Sequence, residues 1–267
     1  MSPTSSQDSP GHQLVRGALG ILDLPMRDAW VRDALLRRPL PALAHALESV
    51  CFEAEQAAPE AQEVLCSIVR VLIAPPQAEL IEGLRSEVTE QSLLSLGRLL
   101  RRPPPRPPLE STPELAPPNY GTARPLSLGE RKALARRPDR RKFDALLRDP
   151  HPAVIENLLQ NPRLTEEDAV AIAARRPGSA EVLLALALHP RWSTRTRVRL
   201  SLVLNPHTPP EIAVAMTCLL MNQELRLVVD VTTVSDVVRA VALELLHRRP
   251  PVLDPSGIED SDDALLQ

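Results

Sequence analysis

Apolar residues recur every three or four positions along most of the chain, the spacing that places them on one face of an α-helix. Three such runs follow one another in the first hundred residues, at 40–54, 64–72 and 80–100. Pro75-Pro76 ends the second run, because proline cannot continue a helix. The pattern predicts an N-terminal bundle of three or more amphipathic helices over 13–101.

The second half of the chain has a different pattern. From about 126 onwards, helical runs of about ten residues alternate with a polar residue followed by proline. Two such elements make one helical hairpin, so the unit is about 25–30 residues long. Because a lone hairpin of this size cannot bury its apolar side, the pattern predicts an α-solenoid of short helical hairpins over 125–248. The polar–proline pairs are Arg137-Pro138, Asp149-Pro150, Asn161-Pro162, Arg176-Pro177, His189-Pro190, Asn205-Pro206 and Arg249-Pro250.

The residues at these turns predict where the helices end and begin. We expect Asn161 and Asn205 to close their helices, because asparagine tolerates the left-handed conformation that ends a helix. Proline then prevents the helix from continuing. Ser127, Thr165 and Thr208 are each followed three positions later by an acidic residue, which predicts a capped helix start at all three.

The segment 102–124 separates the two halves, and nine prolines lie between 102 and 125. Such a segment favours an extended polyproline II conformation. It is either a ligand for an SH3-like groove or a semi-rigid spacer, and the abundance of proline along the whole chain favours the spacer. Residues 1–12 and the acidic tail 249–267 are predicted to be disordered. The sequence therefore predicts an all-α protein in two parts.

The composition narrows the kinds of protein that the chain can be. The chain has 267 residues, 31 Lys and Arg against 34 Asp and Glu, and a net charge of −3, which excludes a protein that is basic overall. Only 2% of residues are aromatic, which disfavours a β-sandwich or barrel. Cys51, Cys66 and Cys218 have no metal or redox spacing and suit a reducing compartment. With no leader pattern and no apolar run long enough for a bilayer, we expect a cytoplasmic protein that does not bind membranes.

A recognisable order of motifs runs through the second half: an ERxxxA helix start, an NPxLT turn at 161–165 followed by an acidic run, a turn that contains Trp192, and an NPxTP turn at 205–209. In this order they resemble a bacterial helical-repeat domain of unknown function, similar to HEAT and leucine-rich-repeat-variant arrays. The resemblance covers about 124–248 and implies stacked helical pairs, but no established activity. The segments that carry it are 124–150, 156–173, 189–210 and 234–246.

Candidate chemistry is sparse. Neither GxGxxG nor GxxxxGK[ST] occurs, and no two histidines have HxxxH spacing. His151, His189 and His207 lie beside the prolines, where they are either metal ligands from neighbouring repeats or, as we favour, ordinary polar turn residues. The acidic run 166–168 is explained by a first helical turn, where carboxylates are stabilised. We therefore expect no catalytic residue, no metal and no cofactor, and a protein that is not an enzyme.

Two groups of arginines are the candidates for binding, at 131–142 and 191–199. They either line a surface that contacts a partner or are the solvated faces of amphipathic helices. Trp192 is either a core residue between repeats or an exposed anchor for a partner. We expect a non-catalytic adaptor or scaffold that binds another protein through its helical-repeat surface; the alternative is an α-solenoid that binds nucleic acid through the two arginine groups. The candidate partner-binding residues are Arg136, Arg137, Arg140, Arg141, Arg191, Trp192, Arg195 and Arg199.

Overall fold

A computed structural model describes residues 9–104, 115–137 and 139–250. These residues form sixteen α-helices, with a short 3-10 turn at Arg140–Lys142 and no β-strand, so the predicted all-α class is confirmed. The first half contains α1 (Pro10–Leu19), α2 (Leu24–Leu36), α3 (Leu40–Glu55), α4 (Pro59–Ile73), α5 (Ala78–Gln91) and α6 (Leu94–Leu99). The second half contains α7 (Leu128–Arg136), α8 (Phe143–Leu146), α9 (Pro152–Leu159), α10 (Glu166–Ala174), α11 (Ala180–Leu188), α12 (Pro190–Ser193), α13 (Thr196–Leu204), α14 (Pro210–Thr217), α15 (Asn222–Asp230) and α16 (Asp236–Arg248).

Helix α3 lies at the centre of the first half, where α1, α4, α5 and α6 all pack against it. Its apolar stripe, which includes Leu43, Leu47 and Val50, is fully buried. A stripe of this kind supplies most of the stability of a helix in a bundle, because helix propensity alone contributes little. The predicted helical bundle over 13–101 therefore corresponds to α1–α6.

The first helix begins earlier than predicted. Ser9 accepts a hydrogen bond from the backbone N–H of His12 at 3.2 Å, and Pro10 occupies the first helical position. A serine cap followed by proline is a strong helix start, which outweighs the polar composition of this stretch. The prediction of disorder over 1–12 is thus wrong for residues 10–12, while residues 1–8 lie outside the described part.

Two of the three predicted caps in the second half are confirmed. Ser127 and Thr165 each form a capping box with the acidic residue three positions later. The third is wrong, because the Thr208 hydroxyl donates to the carbonyl oxygen of Leu202 at 2.6 Å and α14 begins only after Pro209. The two consecutive prolines at 209 and 210 shift the helix start by one residue.

The asparagines before proline act differently from the prediction. Asn205 has φ −86° and ψ 116°, which is extended rather than left-handed backbone, because the following proline favours the extended region. Its Nδ2 donates to the carbonyl oxygens of Ala173 (2.7 Å) and Arg175 (2.9 Å), at the end of α10. Asn161 makes the same pair of bonds to two carbonyls at the end of α7, at 2.7 and 2.8 Å. Each asparagine therefore caps a helix about one repeat earlier in the chain.

Arg249 repeats this arrangement with a different side chain. It is buried, and its guanidinium donates to the carbonyl oxygens of Leu220 and, at 3.2 Å, Cys218 just after α14. The prediction of a disordered tail from 249 is therefore wrong at this residue, since a buried donor with two acceptors fixes the backbone. Residues 251–267 lie outside the described part. These contacts recur at the interval expected of a repeat, whereas the continuous solenoid stays a prediction.

The two halves pack against each other and share one apolar core. Helix α4 contacts α11, α12 and α14, and α6 also contacts α14. The described ends of the predicted linker contain no helix or strand, and its second end is fixed by Tyr120, whose buried hydroxyl donates to Asp149 at 2.5 Å. Residues 105–114 lie outside the described part, so the choice between groove ligand and spacer stays open.

None of the described helices is by itself long and apolar enough to cross a bilayer. Helices α4 and α5 pass a length and composition test only as a pair, and they are bent by 119° relative to each other.

Candidate functional site

The contact between the two halves, called the junction below, is held partly by buried charges. The Arg70 guanidinium on α4 is only 3% exposed and donates to both carboxylate oxygens of Asp28 at 2.7 Å. It also donates to the Ser193 hydroxyl of α12 at 3.3 Å. Because a buried guanidinium must keep its partners, these bonds fix α2, α4 and α12 relative to one another.

A second set of charges joins α6 to α3 and α16. The buried Arg98 donates two hydrogen bonds to Glu55, at 2.7 and 2.6 Å. Arg101 donates two to Glu244 of α16, at 2.7 and 2.8 Å. The hydrogen bonds from Arg101 also lower the pKa of Glu244, so this carboxylate stays charged. The end of α6 is therefore held against both halves.

A pocket opens between these contacts, where α4, α5 and the end of α6 meet α14. Its volume is about 300 Å³, at the lower end of the range for pockets that bind small ligands or single side chains. Its walls are mainly branched aliphatic side chains, and both halves contribute to them. They include Leu72, Ile73, Ile81 and Leu99 from the bundle, and Ile212 and Ala215 from α14.

The connection between α4 and α5 explains why the pocket exists. Helix α4 ends at Ile73, and Pro75-Pro76 prevents it from continuing. The next helix leaves at 119°, which opens a corner that the side chains do not fill. Gln77 lies at this corner, 9% exposed, and its carboxamide forms no hydrogen bond with any described residue.

Three charged residues line the pocket, and two of them have partners. Arg85 donates to the carbonyl oxygen of Leu100 at 2.8 Å and to Glu82 at 2.6 Å, while Arg101 is paired with Glu244. Glu211, in the first turn of α14, is exposed and forms no ion pair with a described residue. The free charge at the rim is therefore negative.

Neither the fold nor the pocket assigns the chain to a known group. No family model, curated protein or solved structure matches it. The resemblance of 124–248 to HEAT-like repeats therefore stays a prediction, and the pocket must be interpreted from its own residues.

Two of the predicted partner-binding residues are in the core. Trp192 is 1% exposed, and its Nε1 donates to the carbonyl oxygen of Leu159 at 2.8 Å, as expected of a core residue between repeats. Arg199 is 7% exposed and donates to the carbonyl oxygens of Ser193 and Thr194 at 3.2 and 2.9 Å. Placing these two in a partner-binding surface was wrong. The spacing of four between arginines does not reveal which of them a helix turns inward.

Other arginines of the two groups are exposed but engaged within the protein. Arg136 donates to the side-chain oxygen of Asn157 at 2.6 Å. Arg140 forms an ion pair with Asp168 and lies over the Phe143 ring at 4.7 Å. The carboxylate of Asp168 offsets the charge of Arg140, whereas Arg136 keeps its charge although its side chain is held in place.

The remaining arginines among the candidate partner-binding residues are exposed. Arg191 lies over the Trp192 ring at 4.2 Å. Arg137, Arg141 and Arg195 are exposed and form no ion pair with a described residue. No hydrogen bond or ion pair within the described part joins the group at 131–142 to the group at 191–199.

The histidine and acidic candidates have structural explanations. Burial, and then the charges of Arg191 and Arg70, lower the pKa of His189 to about 4, so this imidazole is neutral. Asp168 completes the α10 capping box, which agrees with the first-turn interpretation of the acidic run. Among residues 9–104, 115–137 and 139–250, no three His, Cys, Asp or Glu side chains are grouped as metal ligands would be.

Sequence reasoning missed the junction pocket altogether. Its walls come from α4–α6 and from α14, which are more than a hundred residues apart in the sequence. The one local signal was Pro75-Pro76 directly after an apolar helix, since a sharp break there exposes apolar side chains at the end of the helix. That signal predicted where the helix ends, but it did not predict which residues would lie opposite this end in the folded protein.

Proposed function

We propose that the protein is a non-catalytic adaptor that binds another protein, and that the junction pocket receives an apolar side chain of this partner. The observation that carries the proposal is the cavity of about 300 Å³ with aliphatic walls, shared by the two halves. Partner proteins gain most of their binding energy from a few side chains that fill such pockets. Because both halves build the pocket, this function would also explain why the HEAT-like second half packs against the bundle.

The chemistry of the lining supports binding without reaction. Its polar groups are Gln77, two arginines that already have partners, and Glu211 at the rim. No Ser, Cys, His or Lys is among the described residues that line it, so a nucleophile with a neighbouring base is not part of the site. We expect the protein to act in the cytoplasm, where its three free thiols stay reduced.

A protein partner is favoured over nucleic acid. Binding to nucleic acid depends on several arginines or lysines that contact phosphates together. In this chain Arg199 is buried and Arg140 is paired with Asp168, while the free charge at the pocket is the carboxylate of Glu211. A phosphate chain would meet repulsion there.

Site-specific photo-cross-linking in native extract tests the proposal. A photoreactive amino acid replaces Ala78, an exposed residue of the pocket rim, or Ala171, an exposed alanine of α10 that does not line the pocket. We expect one protein to be cross-linked from position 78 and not from position 171. The additional substitution Ala215→Leu, which reduces the pocket from its inner wall, should abolish the product. Cross-linking that does not differ between the two positions would contradict the proposal.

A further inference from the structure

We infer that the junction pocket recognises a peptide segment in which a large apolar side chain has a lysine or arginine close to it. The inference rests on the proposed function, because it names the chemistry of the partner at the same site. Three features of the pocket carry it: its aliphatic walls, the unpartnered carboxamide of Gln77, and the unpaired carboxylate of Glu211.

The walls of the pocket determine which large apolar side chain, called the anchor below, fits into it. Ile73, Ile81 and Ile212 face the cavity from three different helices, and two prolines close one side of it. Branched aliphatic walls favour an aliphatic or aromatic side chain, because each apolar contact removes surface from water. The mouth is open to solvent at Ala78, which is exposed, so a side chain that projects from another protein can enter.

Gln77 favours an anchor that is part of a peptide. The residue as a whole is 9% exposed, and its carboxamide has no hydrogen-bond partner among the described residues. A carboxamide offers both a donor and an acceptor, as a backbone peptide group does. A ligand that pairs with this carboxamide gains a hydrogen bond that a purely apolar ligand cannot form. The backbone beside the anchor residue can supply both bonds.

Glu211 supplies the preference for charge. Arg85 and Arg101 also line the pocket, but Glu82 and Glu244 neutralise them at 2.6 and 2.7 Å. Glu211 therefore remains the unpaired charge of the lining. The positive end of α14 stabilises this carboxylate without neutralising it. A cationic side chain next to the anchor residue is thus attracted, and an acidic one is repelled.

Selection from a random dodecapeptide library against the immobilised full-length protein tests the inference. We expect the recovered peptides to share one large apolar residue with Lys or Arg within about four positions, the reach of neighbouring side chains on a peptide. In Glu211→Arg the attraction becomes repulsion, so these peptides should bind about tenfold more weakly. A new selection against Glu211→Arg should instead enrich Asp and Glu.

Pocket variants show whether the peptides bind at this site. Ala78→Trp places a large ring over the mouth from an exposed position that tolerates it, and Ala171→Trp is the matched control on α10. Binding should be lost in the first and unchanged in the second. Ala215→Leu gives the same test from inside the cavity, should the tryptophan turn away from the mouth.

Several results would overturn the inference. They are peptides without enrichment of basic residues, peptides that bind Ala78→Trp and Ala171→Trp equally, or no enriched peptide at all. If no peptide is recovered and the dye 8-anilinonaphthalene-1-sulfonate binds wild type but not Ala78→Trp, the pocket belongs to a small apolar ligand instead. A partner cross-linked from position 78 together with any of these results would leave the proposed function standing and reject only the peptide chemistry. Absence of any cross-linked protein would reject the function itself.

Discussion

The two halves of the molecule stabilise their helices in different ways. Helices α2–α5 of the bundle have 13 to 16 residues, and buried ion pairs such as Arg70–Asp28, between α4 and α2, connect them. Most helices of the second half have eight or nine residues, and the ends of α7 and α10 are capped by side chains from later in the chain, Asn161 and Asn205. Short helices leave a larger share of their backbone groups unsatisfied, so caps matter more there.

This difference explains where the pocket lies. The second half repeats one asparagine contact at two helix ends, whereas the bundle changes direction at Pro75-Pro76. The two surfaces fit closely at Arg70 and Ser193 and leave a gap at Ile73 and Ile212. The pocket arises here because two unlike architectures meet, without any special motif in either.

The largest expected effect is the loss of stability when a buried ion pair of the bundle is broken. Glu55→Ala leaves Arg98 buried with the neutral Ser95 hydroxyl at 3.0 Å and no carboxylate of the described residues closer than Glu244, at 4.0 Å. We expect a loss of about 4 kcal/mol in the free energy of unfolding, measured by chemical denaturation. Glu60→Ala, at an exposed position, is the control. The double variant Glu55→Leu/Arg98→Met should recover most of the loss, and a double variant as unstable as Glu55→Ala would refute the role of the unpaired charge.

The next effect tests the caps of the second half. Asn205→Ala removes the donor for two buried carbonyls and the acceptor for the N–H of His207, and should cost about 3 kcal/mol in unfolding free energy. Asn205→Asp keeps the shape and the acceptor but cannot donate to the carbonyls of Ala173 and Arg175. We therefore expect it to be nearly as unstable as Asn205→Ala. Stability close to wild type for Asn205→Asp would show that the cap contributes little.

A smaller effect concerns pH at the junction. The pKa of His189 is about 4 in the folded protein against 6.5 for an unperturbed histidine. The unfolded chain therefore takes up a proton first as the pH falls, so stability is full above pH 6.5 and declines towards pH 4. Allowing for partial exposure, we expect this residue to account for about 2 kcal/mol of the decline. Denaturation curves of His189→Leu should lack this part of the pH dependence, and identical dependence in both proteins would contradict the assignment.

The smallest effect concerns the exposed arginines. Arg141→Ala should change the free energy of unfolding by less than about 0.5 kcal/mol, because the side chain is exposed and unpaired. The triple variant of Arg137, Arg141 and Arg195 should bind a DNA duplex no differently from wild type in gel shifts at moderate salt. A shift of wild type that the triple variant loses would revive the nucleic-acid alternative.

Much of the fold could be predicted because its determinants are local. The all-α class, the change of pattern between 101 and 125, and the caps at Ser127 and Thr165 all depend on residues within a few positions of each other. For Trp192 the sequence left two alternatives open, and the structure shows the core position. Local patterns failed at Ser92, where a left-handed residue with φ 54° divides the third apolar run into α5 and α6.

The site could not be predicted because its determinants are distant. The role of Asn205 depends on which helix end lies beside it, about thirty residues earlier in the chain, and no spacing reveals that. Arg199 and Arg141 look alike in sequence, yet one is buried and the other exposed. The pocket joins α4–α6 to α14, so it exists only once the two halves have packed.

The most direct test of the central claim is the affinity for the partner, that is, for the protein that is cross-linked from position 78. This affinity is measured by calorimetry. The comparison uses wild type, Ala78→Trp and Ala171→Trp, the exposed alanines at and away from the pocket. If the junction pocket is the binding site, Ala78→Trp weakens binding by at least about tenfold, the expected effect of losing an anchor side chain, while Ala171→Trp leaves it unchanged. Equal affinity for all three proteins would contradict the claim.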